Sequence, residues 1–169
     1  VYNPDTGKAK VIDFGISTYL TREQAAIANP KVVEASLPYI SPEQTGRMNR
    51  SVDYRSDFYS FGVTLFELLT GRLPFVVSEP IEWFHCHIAK QPPTPFQIDP
   101  AIPQPVSDII MKLMEKMAEN RYQSAHGLKA DLQRCLEQLN QSGTIEPFEL
   151  GKDDISQRFQ IPQTLYGRA

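Results

Sequence analysis

The sequence lacks the features of a membrane, secreted or nucleic-acid-binding protein. Its 169 residues carry a net charge of −3, which offers no basic surface for nucleic acid or an anionic membrane. No apolar run approaches the length needed to span a bilayer. Only two cysteines occur, Cys86 and Cys135, far apart, which favours a reducing cytoplasm over a disulfide framework. We therefore expect a cytoplasmic protein with no nucleic-acid partner and no membrane span.

The chain does have the composition of an ordinary globular domain. Hydrophobic residues make up 41% of it and charged residues 22%, which is enough apolar surface for one core. The first residue is Val1 rather than Met, and it lies in a strand-like segment. We expect the sequence to be part of a longer protein.

A small β-hairpin is predicted at the start of the chain. Residues 1–2 and 8–12 are strand-like, and the Asn-Pro-Asp-Thr-Gly stretch over 3–7 is typical of a turn. Residues 16–40 show no sustained periodicity and predict a loop.

Four helices are predicted after residue 53. Apolar residues over 54–70 recur at helical spacing around most of the circumference, which predicts a helix buried in the middle of the domain and capped by Gly71. A second helix is expected over about 78–90, followed by an extended proline-rich linker over 91–105. The third helix has an apolar face of Ile109, Ile110, Leu113, Met114 and Met117, and the fourth begins at Ser124 and carries Leu128, Leu132, Leu136 and Leu139. This pattern predicts a mainly α fold, one small hairpin followed by a helical bundle.

Two polar clusters in the sequence are not predicted to form functional sites. His85 and His87 flank Cys86, but on a helix these two histidines point to different faces, and zinc needs about four converging ligands. We predict a helix surface with a buried Cys86 rather than a metal site. Asp153 and Asp154 are predicted to lie in a solvated linker.

The triplet Asp13-Phe14-Gly15 follows the apolar end of the predicted hairpin. Mg²⁺ prefers oxygen ligands and is often held by one or two carboxylates together with phosphate oxygens and water. An aspartate at a strand exit can supply one such ligand, while the phenylalanine fastens the turn and the glycine gives backbone freedom. The alternative is an ordinary Asp-x-Gly turn, and the triplet alone does not decide between them.

Three further segments follow the triplet in order. Residues 35–43 read Ala-Ser-Leu-Pro-Tyr-Ile-Ser-Pro-Glu, residues 57–62 read Asp-Phe-Tyr-Ser-Phe-Gly, and Arg121 lies in Glu-Asn-Arg-Tyr. Together with the triplet they resemble the C-terminal lobe of a eukaryotic-type Ser/Thr protein kinase, an α+β fold as a whole. In that family the activation segment ends in Gly-Thr-Pro-x-Tyr-x-Ala-Pro-Glu, and the central helix begins with Asp-x-Trp-Ser-x-Gly. The chain departs from these patterns at Ser36, Leu37, Ser41 and Tyr59.

The resemblance implies a role for each matching residue. Asp13 would bind Mg²⁺ on ATP, within a nucleotide site formed by Asp13, Phe14 and Gly15. Ser36 and Tyr39 would belong to the platform for the Ser or Thr of a protein substrate. The structural anchors would be Glu43, Asp57 and Arg121, with Arg121 gripping Glu43 through two parallel hydrogen bonds. The candidate phosphorylation sites, which could order the loop, are Ser17, Thr18 and Thr21.

Two segments narrow the resemblance. Residues 42–50 and 161–168 are similar to those of large bacterial, notably cyanobacterial, proteins that join a Ser/Thr kinase domain to an ATPase module, often with a sensor histidine kinase. On this interpretation residues 1–142 are a partial kinase lobe. Residues 143–169 are a linker toward the ATPase-like module, and the adjacent ATPase and sensor modules are partners within one polypeptide.

Several parts of a complete kinase are missing from the sequence. It contains no glycine-rich nucleotide loop, no strand lysine and no His-Arg-Asp catalytic loop. We expect the catalytic aspartate to lie upstream of Val1, and we predict that the chain alone is inactive. Two alternatives remain open, namely a pseudokinase that regulates a neighbouring ATPase and an interaction domain that docks the next module.

Overall fold

The computed structural model describes residues 2–10 and 37–154. At the start of the chain, β1 (Tyr2–Asn3) pairs antiparallel with β2 (Lys8–Ala9). The turn between them closes with Gly7 at a φ of 64°, a left-handed conformation that glycine adopts without strain. The predicted hairpin is therefore confirmed over the part of it that the structure describes.

Helices dominate the rest of the described chain, which confirms the predicted mainly α fold. The α-helices are α1 (Arg55–Thr70), α2 (Pro80–Ala89), α3 (Pro95–Ile98), α4 (Gln104–Leu113) and α5 (Ala125–Ser142). Short 3₁₀ helices cover Leu37–Tyr39, Pro42–Thr45 and Ala118–Asn120.

Helix α1 is the centre of the packing, but only on one side. Tyr59, Val63 and Phe66 are fully buried in a cluster that includes residues of α4. The prediction that α1 is buried around most of its circumference is wrong for the described chain, since Phe61 is 41% and Leu68 73% exposed. The reason is that the described elements pack on one side of the helix only.

The approach of α1 to α4 is close because α1 has a glycine in the interface. A Cβ atom added at Gly62 would lie 2.8 Å from Leu113 Cβ and 2.9 Å from Met114 Cγ. Both neighbours are buried core residues. The absence of a side chain at this position therefore sets the distance between the two helices.

The proline-rich stretch is not the extended linker that the sequence predicts. Pro95 begins α3, where Thr94 Oγ1 accepts a hydrogen bond from Gln97 N–H at 3.2 Å, and α4 already begins at Gln104. Proline fits the first turn of a helix because its missing N–H needs no partner there. Pro95 and Pro105 are also buried, so these prolines start helices and fill the core.

The last two helices differ from their predictions at one end each. Helix α4 ends at Leu113, so Met117 lies beyond it and not on its apolar face. Helix α5 begins as predicted, with Ser124 Oγ accepting a hydrogen bond from Gly127 N–H at 3.0 Å. Its apolar stripe leaves the core toward the C-terminus, because Leu136 and Leu139 are exposed.

Part of the segment after α5 packs back on the helices. Ile145, Phe148 and Leu150 contact the core cluster formed by α4 and α5. Asp154 accepts hydrogen bonds from Gln123 N–H at 2.6 Å and from the Ser124 hydroxyl at 2.8 Å. The prediction of a solvated linker is wrong for Asp154, while the division of the chain at residue 142 stays a prediction.

Candidate functional site

The second 3₁₀ helix, Pro42–Thr45, positions the first residue of the site. Ser41 N–H donates to Gln44 Oε1 at 2.9 Å at the start of this turn, and Gly46 ends it with a φ of 68°. The turn directs the Glu43 side chain inward, where the residue is only 4% exposed.

Arg121 follows the third 3₁₀ helix and pairs with Glu43, as predicted from the sequence. Arg121 Nη1 donates to Glu43 Oε1 at 2.7 Å and Nη2 donates to Oε2 at 2.8 Å. The remaining N–H groups of the guanidinium donate to the backbone carbonyl oxygens of Arg55, Glu115 and Lys116. All five guanidinium N–H groups therefore have acceptors, which is what a charged side chain that is 1% exposed requires.

The Glu43 carboxylate has a third donor, the Ser56 hydroxyl at 2.7 Å from Oε1. Burial by itself raises the pKa of Glu43, but the hydrogen bonds and charge of Arg121, with the bond from Ser56, outweigh burial. The net result is a pKa of Glu43 below its ordinary value. The carboxylate is thus ionised at neutral pH, and we call Glu43, Ser56 and Arg121 the clamp.

The clamp ties parts of the chain that are far apart in sequence. Glu43 and Arg121 are separated by 78 residues, and Ser56 brings the start of α1 to the same point. The Tyr59 ring covers one face of the guanidinium, with its centroid 5.1 Å from Arg121 Cζ. With every polar atom of Arg121 engaged inside the protein, the clamp can position a segment but has no donor left for a substrate.

The first 3₁₀ helix, Leu37–Tyr39, lies just before the turn held by the clamp, and we call it the platform segment. Ser60 Oγ on α1 donates to the Tyr39 carbonyl oxygen at 2.8 Å, and the Tyr39 hydroxyl donates to Glu67 Oε2 at 2.6 Å. The hydrogen bond to Glu67, then burial, raises the pKa of Tyr39. The Leu37 carbonyl oxygen is also bonded, at 2.8 Å, by Nε2 of the buried His87.

Sequence reasoning missed two of these contributors. Ser60 was recognised only as part of the helix-start pattern, and His87 only as a helix-surface residue. Both act on backbone carbonyl oxygens of the platform segment, and a carbonyl acceptor leaves no signal in a sequence pattern.

The other predicted site residues do not belong to the clamp or the platform segment, or they lie outside the described residues. Asp57 lies in the first turn of α1 and is exposed, although partial burial raises the pKa of its carboxyl. The remaining residues lie outside the described residues: Asp13, Phe14, Gly15, Ser17, Thr18, Thr21 and Ser36.

Two properties of the described residues bear on other kinds of site. Within residues 2–10 and 37–154, no three His, Cys, Asp or Glu side chains converge as metal ligands. None of the helices in those ranges combines the length and apolar character needed to cross a bilayer.

Comparison with known proteins defines the class to which this arrangement belongs. Residues 1–132 match the protein kinase domain, and the chain belongs to that family. The matched range includes the whole clamp and the platform segment.

Individual relatives come from both prokaryotes and eukaryotes. The chain is 42% identical, over 77% of its length, to hybrid signal transduction histidine kinase G of Dictyostelium discoideum. It is 37% identical over 131 residues, 78% of its length, to a probable serine/threonine-protein kinase of Streptomyces coelicolor. It is 36% identical over 129 residues, 76% of its length, to the serine/threonine-protein kinase PknB of Mycobacterium leprae. The aligned parts cover 4%, 19% and 20% of these three relatives.

Proposed function

We propose that the longer protein carrying this chain is a serine/threonine protein kinase, and that the chain supplies the lobe on which the protein substrate is positioned. The observation that supports this most directly is the clamp. A buried, fully bonded Glu43–Arg121 pair fixes the end of the segment that resembles the kinase activation segment. Its neighbour, the platform segment, is held against α1 by Ser60 and Glu67.

Members of the protein kinase family use ATP with Mg²⁺, and the chain contains a suitable ligand. Asp13 would contribute one carboxylate oxygen to the ion, which matches the preference of Mg²⁺ for a few carboxylates plus phosphate oxygens. Phe14 and Gly15 would shape the turn that presents it. The nucleotide supplies the γ-phosphoryl group, and Ser36 and Tyr39 would help to orient the acceptor hydroxyl.

The proposed reaction moves the γ-phosphoryl group of ATP to the oxygen of a Ser or Thr side chain. The bond to the β-phosphate breaks and ADP leaves, while the hydroxyl proton passes to a base. The chain has no His-Arg-Asp sequence to provide that base and no glycine-rich loop to cover the phosphates. We therefore propose that the isolated 169-residue chain transfers no phosphate.

The parent is proposed to be a multidomain signalling protein of the bacterial kinase–ATPase kind, with residues 143–169 leading to the next module. Similarity to a histidine kinase of hybrid type is consistent with such an arrangement. The same similarity favours a second candidate function, a pseudokinase-like domain that regulates or docks a neighbouring module without transferring phosphate itself.

A comparison of two aspartates in the full-length protein tests both candidates. Asp13→Ala is expected to lower phosphate transfer to a protein acceptor by about 100-fold or more, because it removes charge stabilisation from the metal-bound phosphates. Asp153→Ala removes an exposed carboxylate and serves as the matched control. Transfer is measured with radiolabelled ATP, and mass spectrometry of the product identifies the modified residue type.

The outcomes separate the two functions. Phosphoserine or phosphothreonine formed by the wild type and the control, but not by Asp13→Ala, supports the kinase. Binding of Mg-ATP without phosphate transfer supports the regulatory alternative. A protein that neither binds Mg-ATP nor transfers phosphate contradicts the kinase proposal.

A further inference from the structure

His87 is the buried polar residue of α2 that contacts the platform segment. It is 0% exposed, and each of its ring nitrogens has one polar neighbour. Nε2 lies 2.8 Å from the Leu37 carbonyl oxygen, and Nδ1 lies 2.9 Å from the Tyr59 hydroxyl. His87 thus joins α2, α1 and the platform segment at one point.

The chemistry of these neighbours determines which nitrogen is protonated. A carbonyl oxygen can only accept, so His87 Nε2 must bear the hydrogen and donate to Leu37. In the neutral ring Nδ1 is then an acceptor, and the Tyr59 hydroxyl donates to it. The hydrogen bonds therefore run in one direction, from Tyr59 through the His87 ring to the platform segment.

The surroundings favour the neutral ring. Trp83 stacks on the His87 ring at a centroid distance of 5.9 Å, and Phe75 meets it edge-on at 5.7 Å. The ammonium group of Lys116 donates to the Cys86 carbonyl oxygen at 3.2 Å, and its charge disfavours a second cation nearby.

The remaining ionisable groups around the ring are already engaged. The Tyr59 hydroxyl belongs to the hydrogen-bond chain, and the Cys86 thiol is a buried neighbour on α2 itself. Arg121 lies over the Tyr59 ring, and Glu43 is bonded to Arg121. No carboxylate among the described residues bonds to His87, so no acidic partner there stabilises a positive ring.

We propose that His87 is a positioning residue for the protein acceptor, because its Nε2–H group fixes the Leu37 carbonyl and so sets the orientation of the platform segment. This inference rests on the kinase function proposed above. It differs from a packing role, in which any side chain of similar size would do. The positioning role requires an N–H donor at the place of His87 Nε2. The side-chain amide of glutamine can provide such a donor, whereas leucine has none.

The first test uses the chain itself and needs no activity. Long-range ¹H–¹⁵N spectra at neutral pH should show His87 with a protonated Nε2 and a bare Nδ1, with the exposed His85 and His126 as internal references. His87→Leu should speed hydrogen exchange of the amides of residues 39–41 by about tenfold, since it removes a buried hydrogen bond to the segment. His87→Gln should leave exchange close to that of the wild type.

The second test uses the full-length protein and an acceptor peptide. His87→Leu should raise the KM for the peptide by about tenfold while the KM for ATP stays the same, because only acceptor binding depends on the platform segment. His87→Gln should restore the peptide KM, and His85→Leu, an exposed neighbour, is the control. A loss in the apparent kcat alone would indicate a smaller folded fraction instead.

The results distinguish failure of the proposed kinase function from failure of the positioning role of His87. A wild-type protein that phosphorylates no acceptor contradicts the proposed function. Equal exchange in the leucine and glutamine variants contradicts the positioning role whatever the activity, and an unchanged peptide KM in an active His87→Leu enzyme overturns it as well.

Discussion

The clamp and the segment after α5 both use a carboxylate to hold a loop, yet they are built differently. Glu43 is 4% exposed and meets a guanidinium with all its N–H groups bonded. Asp154 is half-buried and accepts from neutral donors, a backbone N–H and the Ser124 hydroxyl. Removing one half of a buried ion pair leaves the other charge without a partner, whereas a half-buried group can turn to water. The clamp should therefore support the whole fold, and the Asp154 contact only its own segment.

The largest expected effect comes from breaking the clamp. Arg121→Ala should lower the free energy of unfolding by about 3–5 kcal/mol, because Glu43 would remain buried and charged without its partner. Urea denaturation at neutral pH measures this change. Asp154→Asn, the change at the second site, should cost about 1 kcal/mol, because the amide nitrogen of asparagine cannot accept one of the two hydrogen bonds.

A double variant isolates the reason for the clamp effect. Glu43→Leu combined with Arg121→Met removes both charges and should recover most of the lost stability, because replacing a buried ion pair by apolar side chains is often neutral. If Arg121→Ala costs no more than Asp154→Asn, the proposed difference between the two regions is wrong.

A second expected effect depends on pH and on His87, next to the clamp. Burial first, then the charge of Lys116, lowers the pKa of His87 from 6.5 to about 4 despite the hydrogen bond to Leu37. The unfolded chain then binds more protons than the folded chain between these two pH values. The contribution of His87 to the free energy of unfolding should be fully present above about pH 6.5. It should fall by about 3 kcal/mol as the pH approaches 4.

Denaturation curves between pH 7.5 and pH 4 would check this prediction, with the range chosen to bracket the two pKa values of His87. His87→Gln should flatten the curve in that window, while His126→Gln, at an exposed position, should not. Glu43 adds a separate loss at lower pH, because its folded pKa lies below its ordinary value and its contribution disappears as the carboxylate gains a proton. An unchanged slope in His87→Gln would show that other groups cause the pH dependence.

The sequence predicts features that depend on local patterns better than contacts between distant residues. Apolar residues at helical spacing located α1, α4 and α5, with end signals such as Gly71 and Ser124, whereas a proline in the first turn located α2. The Glu43–Arg121 pair was predictable only through resemblance to a family pattern, since no local rule connects residues 78 apart.

The errors have physical causes of the same kind. Proline is common both in loops and at the first position of a helix, so Pro95 could not be assigned from composition. Asp154 and His87 each act through two hydrogen bonds with groups distant in sequence, without any periodic neighbours. The exposed side of α1 was misjudged because periodicity reports which residues are apolar and not which elements cover them.

The smallest expected effects compare two helix glycines, Gly62 between α1 and α4 and Gly127 against the segment after α5. Replacing glycine by alanine inside a helix gains about 1 kcal/mol in propensity. At Gly62 the new methyl would press on Leu113 and Met114 in the core, and overpacking of about 1–3 kcal/mol should outweigh that gain. At Gly127 it would lie 2.4–2.6 Å from the Cβ, Oδ1 and Cα atoms of Asp154, so Asp154 would have to shift and loosen its hydrogen bonds to Gln123 and Ser124.

We therefore expect Gly62→Ala to lower the free energy of unfolding, and Gly127→Ala to change it little while speeding amide exchange over 151–154. Loss of the Gly151 N–H bond to Asp131, at 2.7 Å in the intact protein, should be visible in that exchange. Lys129→Ala, at an exposed position of α5, controls for general changes in helix propensity. The opposite outcome would be a lower free energy of unfolding in Gly127→Ala with amide exchange over 151–154 still slow. In that case Asp154 would stabilise the whole fold, a role that we assign to the clamp.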